Sequence, residues 1–88
     1  MENIQRDPLL QEREKTHGSF ARNAKISQEI KVIFDMYWIR NDNAQHKEAL
    51  DMIALKISRI LSGQANFKDH WDDIAGYAKL GSEACDKS

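Results

Sequence analysis

SFARNAKISQEIKVIFDMYWI, residues 19–39, is the stretch whose reading decides the fold. Apolar side chains recur in it with a helical period. Phe20, Ile26, Ile30, Ile33, Phe34, Tyr37 and Trp38 share one broad face, as in a helix that turns one side to a core. Val32, Met36 and Ile39 form a second, narrower stripe on another side, at i, i+4 and i+7. A helix apolar on two sides is either central in its bundle or shared between subunits. Asn23 falls inside the main face, with Ser27 close by, and Asn41-Asp42-Asn43 ends the run with turn formers.

Working outward, the upstream residues predict a short helix over 7–15. Asp7 is placed as N-cap, Pro8 occupies the first helical position, and Gly18 stops the run. Downstream, 44–61 carries Leu50, Ile53, Ala54, Ile57, Ile60 and Leu61 on one face, with Glu48, Asp51, Lys56 and Arg59 off it and Ser62-Gly63 as its stop. A fourth helix is expected to start at Asn66 as N-cap, with Asp69 in a capping-box-like position. Trp71, Ile74, Ala75 and Ala78 then face inward and Gly81 is the C-cap; Gly76, mid-helix, hints at close backbone packing. Residues 82–88 have no periodicity and are expected to fray. The expectation is an all-α protein: a small antiparallel bundle of about four helices in one domain, 1–81, with a tail, 82–88. Homodimerisation completes the bundle where the second stripe of 19–39 is shared.

Composition narrows the function classes. The chain has 88 residues, 41% hydrophobic and 31% charged, with one Pro and four Gly, which suits a single helical domain and excludes collagen-like or low-complexity classes. Thirteen Lys and Arg against fourteen Asp and Glu give a net charge of −1, so no bulk field draws the chain to nucleic acid or an anionic membrane. No apolar run approaches the roughly 18 residues of a membrane span, and Met1-Glu2-Asn3 lacks the layout of a secretion signal. The lone Cys85 makes no internal disulfide, and the expected setting is a reducing cytosol.

Two constellations could carry chemistry. Glu48 and Asp51 sit three apart on the third helix; after a 17-residue gap Asp69 and Asp72 sit three apart on the fourth, with Asp73 adjacent. Two antiparallel helices that each present a carboxylate pair could hold Mg²⁺, which takes one or two carboxylates, several waters and phosphate oxygens. Lys56 and Arg59 then supply positive charge to those oxygens, Arg59 bidentately. The plainer reading is that acidic residues in the first turn of a helix favour its dipole and that Lys47 pairs with Asp51. Asn23, an amide on an apolar face, must find partners, either a ligand's base or sugar edge or a neighbouring loop. His17 and His70 match no familiar zinc spacing and read as capping or solvent-facing groups, and His46 as surface. Trp71 and Tyr77 read as core residues rather than stacking platforms.

The runs Arg13-Glu14-Lys15-Thr16-His17-Gly18-Ser19-Phe20 with Asn23-Ala24, Lys56-Ile57-Ser58-Arg59-Ile60, and His70-Trp71-Asp72-Asp73-Ile74-Ala75-Gly76-Tyr77-Ala78 resemble a family of short phage and prophage proteins of unknown function. The resemblance covers residues 11–80, and the last run is the most specific. More distantly, the layout is similar to the all-α NTP pyrophosphatases of the MazG-like superfamily. Those use an ExxE pair, then after a gap an ExxD pair, to hold Mg²⁺ and cleave a nucleoside triphosphate to monophosphate and pyrophosphate. On that resemblance Glu48 and Asp51 stand for the first pair and Asp69 and Asp72 for the second. Asp51 and Asp69 depart from the expected Glu, which leaves Asp73 as an alternative ligand. The resemblance also implies a homo-oligomer. Two functions therefore stand open: a Mg²⁺-dependent nucleotide pyrophosphohydrolase or its degenerate relative, with Asn23, Lys56 and Arg59 on the substrate, and a non-catalytic phage module that binds a host protein through its second apolar stripe.

Overall fold

The computed structural model describes residues 7–38 and 42–85. Capping explains where three of its four helices begin. The Asp7 carboxylate accepts from Leu9 N at 2.8 Å and Pro8 occupies the first position, so α1 runs Pro8–His17. Ser19 Oγ accepts from Arg22 N to open α2, Phe20–Tyr37. Asn43 Oδ1 accepts from Gln45 N and His46 N to open α3, Ala44–Arg59. A wide π-type turn, Ile60–Gln64, follows, and Gly63 sits there at φ 103. Last comes α4, Lys68–Glu83.

The hub is α3, which packs most extensively against α4 and next against α2. Two contacts make α3 and α4 antiparallel: His46 Nε2 donates to the Gly81 carbonyl at 3.0 Å, and Lys56 meets Asp73 at 2.9 Å. The described helices thus form the expected all-α bundle, and none is long and apolar enough to cross a membrane.

What fills its centre was not expected. Among the described residues the only buried apolar side chains are the two alanines Ala49 and Ala54, while Asn23, Ser27, Ser58 and His70 are buried polar groups. The molecule is correspondingly elongated, 61 × 27 × 18 Å, with a radius of gyration of 15.8 Å where a compact chain of this length has about 12 Å.

Several sequence expectations need correction. On α2 the inward stripe is Asn23, Ser27, Ile30, Phe34 and Trp38, with Ile26 beside it; Phe20, Ile33 and Tyr37, assigned to the core, are exposed. Neighbouring helices cover only a narrow arc of α2, so a broad apolar face cannot all be buried within one chain. Leu61 is exposed because α3 ends at Arg59 and the π-type turn redirects the chain. Lys56, placed off the buried face, has only 12% of its side chain exposed because α4 covers it and Asp73 neutralises it.

The largest error lies on α4. Its N-cap is Phe67, without a side-chain cap bond, not Asn66, and it runs past Gly81 to Glu83. Its inward stripe is His70, Ile74, Tyr77 and Gly81; of the expected Trp71, Ile74, Ala75 and Ala78 only Ile74 lies on it, and the other three are exposed, one residue or about 100° round the helix from His70, Ile74 and Tyr77. Trp71 lies on the surface with its indole N–H donated to the Ala65 carbonyl at 2.8 Å. Gly76 faces open space, whereas a Cβ on Gly81 would lie 3.7 Å from Ala49, so the close approach occurs one turn later than read. α4 continues to Glu83, two residues into the stretch read as a tail, and Asn43 Nδ2 donates to the Ala84 carbonyl at 3.2 Å. Ile39, Asn41 and residues 86–88 lie outside the described residues.

Candidate functional site

The sharp link between α1 and α2 builds the site. Gly18 adopts φ 77, ψ −172, a conformation essentially restricted to glycine. A Cβ there would sit 3.1 Å from Ser62 Cβ and 3.3 Å from the Ser62 carbonyl oxygen, so the link presses against the π-type turn. Two buried side chains tie it down. Asn23 Nδ2 donates to the His17 carbonyl, and His70 Nε2 donates to the Thr16 carbonyl at 2.7 Å across 54 residues of sequence. The His70 ring is 1% exposed and stands edge-on to His17 and Phe67, with centroids 5.5 and 4.8 Å away. His70, read as a capping or solvent group, is thus a core residue. His46 is half-buried on the Gly81 carbonyl rather than on the surface, with the exposed Cys85 Sγ 3.7 Å from its Nε2.

Above this junction opens a cleft of about 320 Å³ between α1, the first half of α2 and the end of α3. Its polar lining includes Arg13, Glu14, His17, Asn23, Lys31 and Arg59, beside the exposed apolar side chains of Leu10 and Phe20. Among the described residues neither Arg13 nor Arg59 forms an ion pair. Arg59 Nε and Asn23 Oδ1 are buried without a hydrogen-bond partner, as is Ser62 Oγ beside Gly18.

The cleft has the electrostatics of crowded cations. Burial first, and then the Arg59 and Arg13 charges, push the His17 imidazolium below its ordinary range, outweighing the hydrogen bond to the Arg13 carbonyl. Burial and Arg13 act on Arg59 in the same direction. His17 Nδ1 lies 2.6 Å from Thr16 Oγ1 and 3.2 Å from the Arg13 carbonyl, so both polar neighbours of the ring are on its own helix. A His whose folded pKa is depressed binds fewer protons in the native state than in the unfolded one. Its contribution therefore falls as pH drops through about 6.5 toward the folded value. The melting temperature of the native chain is expected to decline more steeply between pH 7 and pH 5 than that of His17→Gln, as followed by circular dichroism. Parallel slopes would show that the crowding does not exist in solution.

Of the substrate residues read from sequence, the structure brings Asn23 and Arg59 together in this cleft and leaves Lys56 outside it, on Asp73. That ammonium, hydrogen-bonded to the Asp73 carboxylate, holds Asp73 below the usual range, helped by the charges of His70 and Arg59. The other carboxylates stay apart. With His46 level with Gly81 and Lys56 with Asp73, Glu48 and Asp51 lie level with Leu80 and Tyr77, but Asp69 and Asp72 with Arg59 and Lys56. At 1.5 Å rise per residue, Asp51 and Asp72 are separated by about 7 Å along the axis, and Glu48 and Asp69 by about 16 Å. Asp51 takes both oxygens to Lys47 at 2.7 and 2.9 Å, and Asp72 goes to Lys68 at 2.6 Å, in each case a pairing within one helix that raises the lysine's pKa. Among the described residues no three His, Cys, Asp or Glu side chains form a group able to hold a metal ion. Within one chain the Glu48–Asp51 pair and the Asp69–Asp72 pair are thus not brought together.

Arg13 and His17 were missed as site residues. Their signal was an i, i+4 pair on one helix face running into a glycine, which sequence reading used only as a helix stop.

No curated relative and no solved structure matches the chain. Residues 5–85, nearly its whole length, match a family described as a domain of unknown function, so this chain belongs to the DUF6378 family.

Proposed function

We propose that this protein binds a phosphate-bearing small molecule, a nucleotide on the motif resemblance, in the cleft between α1, α2 and the end of α3, and works as a homo-oligomer. The observation that carries the reading is the pair of guanidiniums, Arg13 and Arg59, that line one cleft without a carboxylate on either. Gathering like charges costs free energy that a bound oxyanion recovers, and Arg presents the planar fork that phosphate oxygens match. A volume of about 320 Å³ lies at the lower end of the roughly 300–1,000 Å³ typical of small-molecule pockets. Pyrophosphohydrolysis of such a nucleotide is the activity the resemblance suggests. Because the carboxylates of one chain do not converge, no metal step enters the proposal.

The test is calorimetric titration with pyrophosphate and with nucleoside triphosphates, with and without Mg²⁺, alongside a pyrophosphate-release assay. Binding is expected, and Arg59→Gln is expected to weaken it about ten- to a hundredfold, the range of a lost charged hydrogen-bond donor. Arg22→Gln, on the exposed side of α2, leaves it unchanged. Equal binding by the native chain and Arg59→Gln would remove the cleft from the account. Mg²⁺-dependent release of pyrophosphate would add the hydrolase activity.

The alternative, a non-catalytic phage module that docks on a host protein, would use the same exposed apolar surface of α2 as self-association does. Over the last turns of α2, Val32, Ile33, Met36 and Tyr37 form a continuous band, 55%, 55%, 66% and 72% exposed. We assign that band to a second copy of this chain, since the described residues bury only two alanines as apolar core and a partner is needed to complete it.

A further inference from the structure

The Asn23 side chain sets what the ligand must carry besides its phosphate. It is 5% exposed, and its two ends have different fates. Nδ2 donates to the His17 carbonyl. A carbonyl only accepts, so this bond determines which way the amide points. Oδ1 is therefore an acceptor by necessity, and it is buried in the cleft lining without a partner. Gly18 leaves the space beside it open: a Cβ there would stand 3.8 Å from Oδ1.

None of the cleft's cations is hydrogen-bonded to that oxygen, and a buried acceptor left unpaired has lost its hydration with nothing in return. We propose that the cleft recognises a ligand with two chemically opposite ends: an oxyanion that goes to Arg13 and Arg59, and an N–H or O–H donor that Asn23 Oδ1 reads. Asn23 is then the specificity-determining residue, and an oxyanion with no donor end is a poor ligand. The inference rests on the reading above that the cleft takes a phosphate. A site built to hydrogen-bond a donor rejects analogues that lack it, because its own polar atom is stranded.

Calorimetric titration of the native chain tests this with inorganic pyrophosphate and with the four ribo- and four deoxyribonucleoside 5′-monophosphates. N- and O-methylated forms of the tightest nucleotide, each of which removes one donor, complete the series. At least one nucleotide is expected to bind ten or more times tighter than pyrophosphate, and one methylated form to lose that gain. Asn23→Leu is expected to bring the nucleotide to within threefold of pyrophosphate. The methylated series needs no variant, so it decides the matter even if Asn23→Leu fails to fold for want of its bond to His17. Pyrophosphate binding as tightly as every nucleotide, with no methylated form impaired, would mean that a water satisfies Oδ1; the donor requirement is then overturned and the phosphate site stands. If neither pyrophosphate nor any nucleotide binds, the phosphate site itself falls, and this inference with it.

Discussion

His70→Ala is expected to lower the stability of the chain by about 2–4 kcal/mol, the range for removing a large, fully packed side chain. Because a 1 kcal/mol loss lowers the melting temperature of a domain this size by about 4–8 °C, the drop should be on the order of 10–25 °C. Three losses coincide. The Thr16 carbonyl loses its donor at 2.7 Å, the edge contacts to His17 and Phe67 vanish, and a cavity opens where the ring was 1% exposed. The effect is large because so little else joins α1 to the body: no residue of α1 is buried, and its most extensive packing is against the short π-type turn. His70→Gln, which keeps an N–H donor on a long side chain, should recover part of the loss. Chemical denaturation monitored by circular dichroism measures both variants. A His70→Ala protein within 1 kcal/mol of the native one would show that the bond across 54 residues does not hold the fold.

Placing lysine at both Val32 and Met36 is expected to convert the protein from a dimer to a monomer, read as a halving of mass by light scattering at micromolar concentration. Both positions are more than half exposed within the chain, so neither change disturbs the bundle, and lysine favours a helix more than valine does. The band of Val32, Ile33, Met36 and Tyr37 presents on the order of 400–500 Å² of apolar surface, comparable to the largest patches tolerated on monomers and about half of one side of a standard interface. Like charges brought face to face across a two-fold axis would repel in an environment that no longer hydrates them. A native chain already monomeric at these concentrations would overturn the self-association and shift the band to a foreign partner, as the interaction-module reading requires. A double variant that stays dimeric would place the interface elsewhere.

How much of this was legible in the sequence depends on which atoms carry the information. Helix starts were readable where a side chain caps its own backbone two or three residues on: Asp7, Ser19 and Asn43 all do so. α4 was misjudged because its starting residue, Phe67, makes no such bond. The second stripe of α2 was likewise visible as a surplus of apolar residues, and Val32 and Met36 are indeed uncovered. The site was legible only in part. Arg59 and Asn23 stood out as a cation and an amide in unusual company, but nothing in the spacing of Arg13 told that it would crowd Arg59 from another helix. The acidic pairs looked alike in spacing and differ in place, because the antiparallel register between α3 and α4 sets the carboxylates at different heights.

Local chemistry therefore determined the number of helices, their order and most of their ends, since caps, glycine stops and apolar periodicity act within a few residues of chain. Tertiary structure decided which face of each helix is inside and which charged groups meet. In this protein the interior is polar: His70, Asn23, Ser27 and Ser58 occupy it. A polar residue is buried stably only when a partner arrives for it, and the partner of His70 is a backbone carbonyl 54 residues away. Hydrophobic periodicity cannot register such a bond, which is why the inward face of α4 was displaced by one residue.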